Sequence, residues 1–152
     1  KPPCAVIMPR LMSKPTIHLQ DARWKKALHP YCKTIEAAAS AVTKKGELSI
    51  VLADDAFVQE LNKNYRGKNK PTNVLSFPNE DEPLGDVILA YETVAREADE
   101  QGKSFKAHAT HLIVHGILHL MGHDHEDENE ADAMESKEVK ILKKLGVSNP
   151  YL

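Results

Sequence analysis

Little in this sequence offers covalent staples, a membrane anchor or an excess of one charge. Two cysteines, Cys4 and Cys32, make neither a disulfide framework nor a C-x-x-C metal knuckle. Seven glycines and nine prolines among 152 residues exclude a collagenous or low-complexity chain. No uninterrupted apolar run nears the roughly 18 residues of a membrane helix, and the stretch from Ala5 to Met8 is too short for a signal-peptide core. Aromatic residues make up only 5%, too few for a broad base-stacking platform. Basic and acidic side chains number 20 and 22, so the net charge is −2, far from the strong basicity common in nucleic-acid-binding domains. What is present, 41% hydrophobic residues in one domain's length, is enough to bury a core. A single soluble, cytoplasmic domain is expected. The chain does not open on methionine, so residues before Met8 or Met12 are open as non-native; residues 1–15 are expected to be an extension and residues 16–152 the functional domain.

The charge is unevenly spread. From Asn62 to Asn79 the chain carries Lys63, Arg66, Lys68 and Lys70 and no acid, whereas Glu126 to Glu138 is densely acidic. An acidic segment of this kind can mask a phosphate-binding face in the total. The pattern predicts a weak strand at Thr16–Leu19, an alanine-rich helix within 24–45, and a strand at Leu48–Ala53. Asp54-Asp55 then suit the cap of a helix through Asn64. Thr72–Phe77, fenced by Pro71 and Pro78, reads as a strand near a sheet edge, and Gly85–Ala90 as another strand, followed by a helix to Gln101-Gly102. Helices over Ser104 to about Met121 and about Asn129 to Leu145 complete an α+β domain: a small mixed sheet covered by helices.

Six of the eight histidines fall between His108 and His125. His115 and His119 are four apart, so on a helix both imidazoles share one face and can reach one ion. His125 cannot join them from a continuing helix, because six residues at ~1.5 Å each would place it about 9 Å farther along the axis. The chain must stop and turn back, and Gly122 permits that. Three neutral nitrogens leave a fourth position open on zinc, as in a catalytic rather than structural site. One Zn2+ per chain on His115, His119 and His125 is therefore expected. His111 lies a full turn before His115 and farther still from the pair's midpoint, and His123 sits in the tightest part of the turn, so neither is preferred. His18, His29 and His108 read as ordinary core or surface histidines. The zinc-peptidase motif has the same ligand and glycine spacing, but its general-base glutamate follows the first histidine, where this chain has Gly116.

The segment His115 to His125 resembles the signature of the YbeY family of bacterial metal-dependent endoribonucleases. Tyr65-Arg-Gly-Lys-Asn-Lys-Pro-Thr-Asn-Val-Leu-Ser-Phe-Pro78 and Leu84-Gly-Asp-Val-Ile88 match as well, in the same order. The resemblance implies zinc on the three histidines, single-stranded RNA rather than DNA as substrate, and Arg66 as an essential active-site residue. It also implies a role in 16S ribosomal RNA maturation and ribosome quality control, with the small subunit and assembly factors as partners and no membrane.

On this reading Arg66 and the metal site at His115 carry the catalysis, and Arg66, Lys68 and Lys70 meet the substrate. Local sequence alone reads each of the three as a solvated loop charge. Ser76 and Asn73 suit phosphate or ribose, or strand packing and turn capping. Asp86 suits the carboxylate that orients a ligand histidine or the start of a strand, and Asp124 suits the same orienting role or a proton acceptor. Tyr65 and Phe77 suit base stacking or the core. No general base stands out, and attack by metal-activated hydroxide or by the substrate's 2′-hydroxyl both stay open. Two other classes also stay open: a zinc hydrolase of peptides or amides, and a non-catalytic ribosome-assembly factor with structural zinc.

Overall fold

The computed structural model describes residues 14–44, 46–81, 83–122 and 127–152. The chain runs β1 (Thr16–Leu19), α1 (Arg23–Ala27), α2 (Tyr31–Val42), β2 (Glu47–Ala53), α3 (Asp55–Arg66), β3 (Val74–Pro78), β4 (Leu84–Ala90), α4 (Tyr91–Glu100), α5 (Phe105–Leu120) and α6 (Glu128–Lys144). The sheet order is β1-β2-β4-β3. The first three strands are parallel, and β3 joins β4 antiparallel as an edge strand, with Ser76 opposite Val87. This is the expected mixed sheet, with the proline-fenced strand at its margin.

Alternation along the strands divides the core. Ile17, Ile50, Leu52, Val87 and Leu89 face a large cluster with Trp24, Leu28, Ile35, Ile113, Ile117, Met134 and Leu142. On the opposite face α3 contributes Val58 to a smaller cluster with Leu75, Ile88 and Ala90. The expected helix within 24–45 is in fact two. Pro30 lacks an amide hydrogen and keeps the residue before it out of helical geometry, so α1 ends at Ala27 and α2 starts at Tyr31. The break lets Trp24 bury completely and donate its indole N–H to the Ala53 carbonyl at 2.8 Å. Cys32, on α2, packs partly buried against the larger cluster.

Two capping features place the site. Asp54 accepts a hydrogen bond from the Phe57 amide at 2.8 Å and starts α3, which stops at Gly67, a left-handed residue with φ 69°. Arg66 is thus the last residue of α3 and projects beside β3. Ser104 caps α5 by accepting from the Ala107 amide at 3.0 Å. From His108 to Leu120 that helix is buried on every side except a single strip, and the strip consists of His111, His115 and His119. Helix α5 ends at Leu120, and Gly122 follows with φ 92°, the positive-φ stop the histidine spacing demands.

Candidate metal centre and phosphate-binding arginine

A polar strip on a helix buried nearly all round needs partners, because an unpaired polar group out of water costs free energy. The three histidines find them in different ways. His115 Nε2 and His119 Nε2 lie 3.1 Å apart. Two ring nitrogens at that separation cannot both carry hydrogens aimed at one another; either one donates to the other, or both offer lone pairs to one cation. Two nitrogens at 2.0–2.1 Å from a tetrahedral zinc stand roughly 3.3 Å apart, close to the separation of this pair. His123, His125 and Asp124 lie outside the described residues.

The other ring nitrogen of His115, Nδ1, is 3.1 Å from Glu138 Oε2. Glu138 comes from α6 and is fully buried. Its Oε1 accepts from Tyr151 Oη at 2.6 Å and from His111 Nε2 at 2.7 Å. Burial pushes the Glu138 carboxyl up, but the hydrogen bonds from His111, His115 and Tyr151 outweigh it and bring it down to about 2. Burial and the neighbouring carboxylate push the Tyr151 hydroxyl up. His111, His115 and Glu138 also offer ligand atoms within 4.8 Å of one another, a second way to surround a cation. His111 therefore belongs to the site region, although its first partner is a carboxylate. His108 pairs with Glu97 at 2.9 Å and is buried, as an ordinary core histidine.

Sequence reasoning sought an orienting carboxylate at Asp86 or Asp124 and missed Glu138. Asp86 is exposed on β4. The signal for Glu138 was available: on α6 it falls in line with Met134, Ile141 and Leu142, a lone acid in an apolar stripe.

Arg66 reaches the same helix through one intermediary. Its guanidinium donates to the Ser76 carbonyl at 2.9 Å and sits 5.3 Å from the centre of the Phe77 ring. Ser76 in turn donates its hydroxyl to the Gly116 carbonyl at 3.1 Å. The Ser76 hydroxyl and the Asn73 amide, which donates to Glu97 at 2.9 Å, are thus spent on packing. Tyr65 is 71% exposed and meets Phe77 edge-on at 5.7 Å, so it is not a core residue. Lys68 and Lys70 are exposed on the loop after α3, whose backbone is tied down by Asn62 Nδ2 donating to the Lys70 carbonyl at 2.8 Å.

A close histidine pair on α5, linked through Ser76 to an arginine at the end of α3, suits several hydrolases, and comparison with known proteins narrows the field. The family model described as Endoribonuclease YbeY matches residues 12–146. The chain belongs to the YbeY family. Its relatives include the Endoribonuclease YbeY of Rhodopseudomonas palustris strain BisA53, 54% identical over 132 residues, covering 78% of this chain and 77% of that protein. The one from Sphingopyxis alaskensis is 49% identical over 155 residues, covering 86% and 92%. The solution structure of TM1509 from Thermotoga maritima shares the fold at a TM-score of 0.57, with 24% identity over 86% of this chain and 91% of that one. The YbeY match begins at residue 12, just ahead of β1, and so takes in more of the amino-terminal half than the motifs alone indicated. Among the described residues no helix is long and apolar enough to cross a membrane.

Proposed function

We propose that this chain is a zinc-dependent endoribonuclease that cuts single-stranded RNA in the cytoplasm, in 16S ribosomal RNA maturation and ribosome quality control. One zinc would be held by His115, His119 and His125. The observation that carries the metal reading is the 3.1 Å approach of the His115 and His119 Nε2 atoms on the half-buried strip of α5, followed by the positive-φ stop at Gly122. RNA as the substrate is supported by membership of a family whose members are named endoribonucleases.

A zinc ion in that position supplies Lewis acidity toward a phosphoryl oxygen and toward water. The chain's own residues do the rest. Arg66, anchored by one bond to Ser76, keeps further N–H groups for a phosphate, and its planar fork suits bidentate contact. There it would neutralise charge developing on the scissile phosphoryl oxygens. Lys68 and Lys70 would draw the polyanion toward the site. The absence of a side chain at Gly116 removes the base a zinc peptidase uses. The position is also closed to one, since a Cβ there would lie 2.8 Å from Val87 Cγ1.

Cleavage of a labelled unstructured RNA and of casein, with and without chelator, on a sample of measured zinc content tests the proposal. Chelator-sensitive RNA cleavage without casein cleavage supports it. Casein cleavage points to a peptidase. Binding to small-subunit precursors without any cleavage points to an assembly factor.

A further inference from the structure

The Glu138 carboxylate does more than fill a polar gap. Resting on the reading of His115 and His119 as ligands, we propose that Glu138 is the positioning residue for the metal centre: it fixes the proton of His115 on Nδ1, so that Nε2 is turned as a lone pair toward His119.

The argument is one of donors and acceptors. An ionised carboxylate only accepts. Tyr151 is a hydroxyl donor to Oε1 at 2.6 Å, and His111 Nε2 approaches the same oxygen at 2.7 Å. With those two donors on Oε1, the carboxylate is held in one rotation, and Oε2 is left facing His115 Nδ1 at 3.1 Å. That nitrogen must then be the donor. A neutral imidazole carries one ring hydrogen, so Nε2 has none and presents its lone pair where His119 Nε2 stands 3.1 Å away. His111, with its hydrogen on Nε2, is left with an Nδ1 that is buried and unpartnered among the described residues, a lone pair rather than an orphaned N–H. Glu138 and Tyr151 lie on α6 and on the segment after it, so the geometry of a ligand on α5 is set by the packing of the chain's last residues. Outer partners of this kind hold the tautomer and ring orientation of metal-ligating histidines.

Two readouts test this, neither of them activity. The first is the imidazole nitrogen spectrum of chelated, histidine-labelled wild-type protein at pH 8. His115 is expected with its proton on Nδ1; a proton on Nε2 overturns the proposal, and this decides the matter even if no Glu138 variant folds. The second is zinc affinity by chelator competition for wild type, Glu138→Gln and His119→Ala, beside the melting temperature of each chelated protein. Glu138→Gln should bind zinc about 10–100-fold more weakly. A lower melting temperature with unchanged zinc affinity would mark a purely structural carboxylate and overturn the proposal. Zinc retained in His119→Ala but lost in Glu138→Gln would show a cation held by His111, His115 and Glu138, and both the metal reading and this proposal would fall. Zinc lost in His119→Ala but held normally by Glu138→Gln would remove this proposal alone.

Discussion

Ser76 donates its hydroxyl to the carbonyl of Gly116 at 3.1 Å, tying the edge strand β3 to the middle of α5. The contact requires a helix with no side chain at that point. A Cβ on Gly116 would lie 2.8 Å from Val87 Cγ1 and 3.2 Å from Ser76 Oγ. Gly116→Ala gains about 1 kcal/mol in helix propensity but overpacks a buried contact at a typical cost of ~1–3 kcal/mol, so it should be net destabilising. Because Val87 is the main obstacle, the same substitution in a Val87→Ala background should cost less, with a coupling of about 1 kcal/mol. Urea denaturation of the four proteins measures it; strict additivity would remove Val87 as the reason for glycine here.

The guanidinium of Arg66 lies one hydrogen bond further along the same chain of contacts. Arg66→Ala loses one bond at an exposed position, so stability should fall by no more than about 1 kcal/mol and zinc content should be unchanged. Single-turnover cleavage of RNA should fall by about 10²–10³-fold, the effect of removing one preorganised charge-stabilising donor. Arg66→Lys keeps the charge without the planar fork and should recover little. Wild-type cleavage by Arg66→Ala would return Arg66 to a strand-edge contact.

Substitution at Lys68 or Lys70 should act differently. Each to alanine should weaken RNA binding modestly and flatten its dependence on salt, because a phosphate contact works through counterion release. Titrations of one RNA at several salt concentrations read the slope. An unchanged slope in both variants would place these lysines off the RNA path.

Gly122 has φ 92°, and among the described residues no atom lies within 4 Å of where a Cβ would stand, so backbone conformation is what opposes a substitution there. Gly122→Val places a β-branched residue in a region it avoids. Chelator competition should show weakened zinc binding although no ligand is removed. Normal zinc affinity would mean that the turn tolerates another conformation.

His108 gives a pH dependence away from the metal centre. Burial, with smaller contributions from His111 and Lys103, holds it below 6.5 against the Glu97 carboxylate, which raises it. The unfolded chain therefore binds this proton more readily than the folded one. Stability from this group is full above pH 6.5 and is lost as pH falls through the window below it, with a slope of at most about 1.4 kcal/mol per pH unit. Denaturation of chelated wild type and His108→Gln between pH 5 and pH 7.5 should show the steeper fall in wild type. Parallel curves would contradict this account.

Much of this molecule is legible along the chain. Periodicity and caps give β2, α3, α5 and α6, because amphipathic patterns and capping side chains act over a few residues. The His115–His119 pair and the stop at Gly122 are equally local, fixed by helix pitch and by the one residue type that takes positive φ without cost. The break at Pro30 is local too, since proline lacks the amide hydrogen that a helix interior needs. Tertiary structure decided the rest. Ser76 and Gly116 are 40 residues apart, and only the pairing of β3 with β4 beneath α5 makes them neighbours. The stripe of Met134, Ile141 and Leu142 marks Glu138 as inward-facing, but which groups it meets is settled only when α6 packs on α5 and the final turn brings Tyr151 back. A carboxylate's role depends on which donors surround it, and the donors from α5 and from the segment after α6 meet Glu138 only in the folded chain.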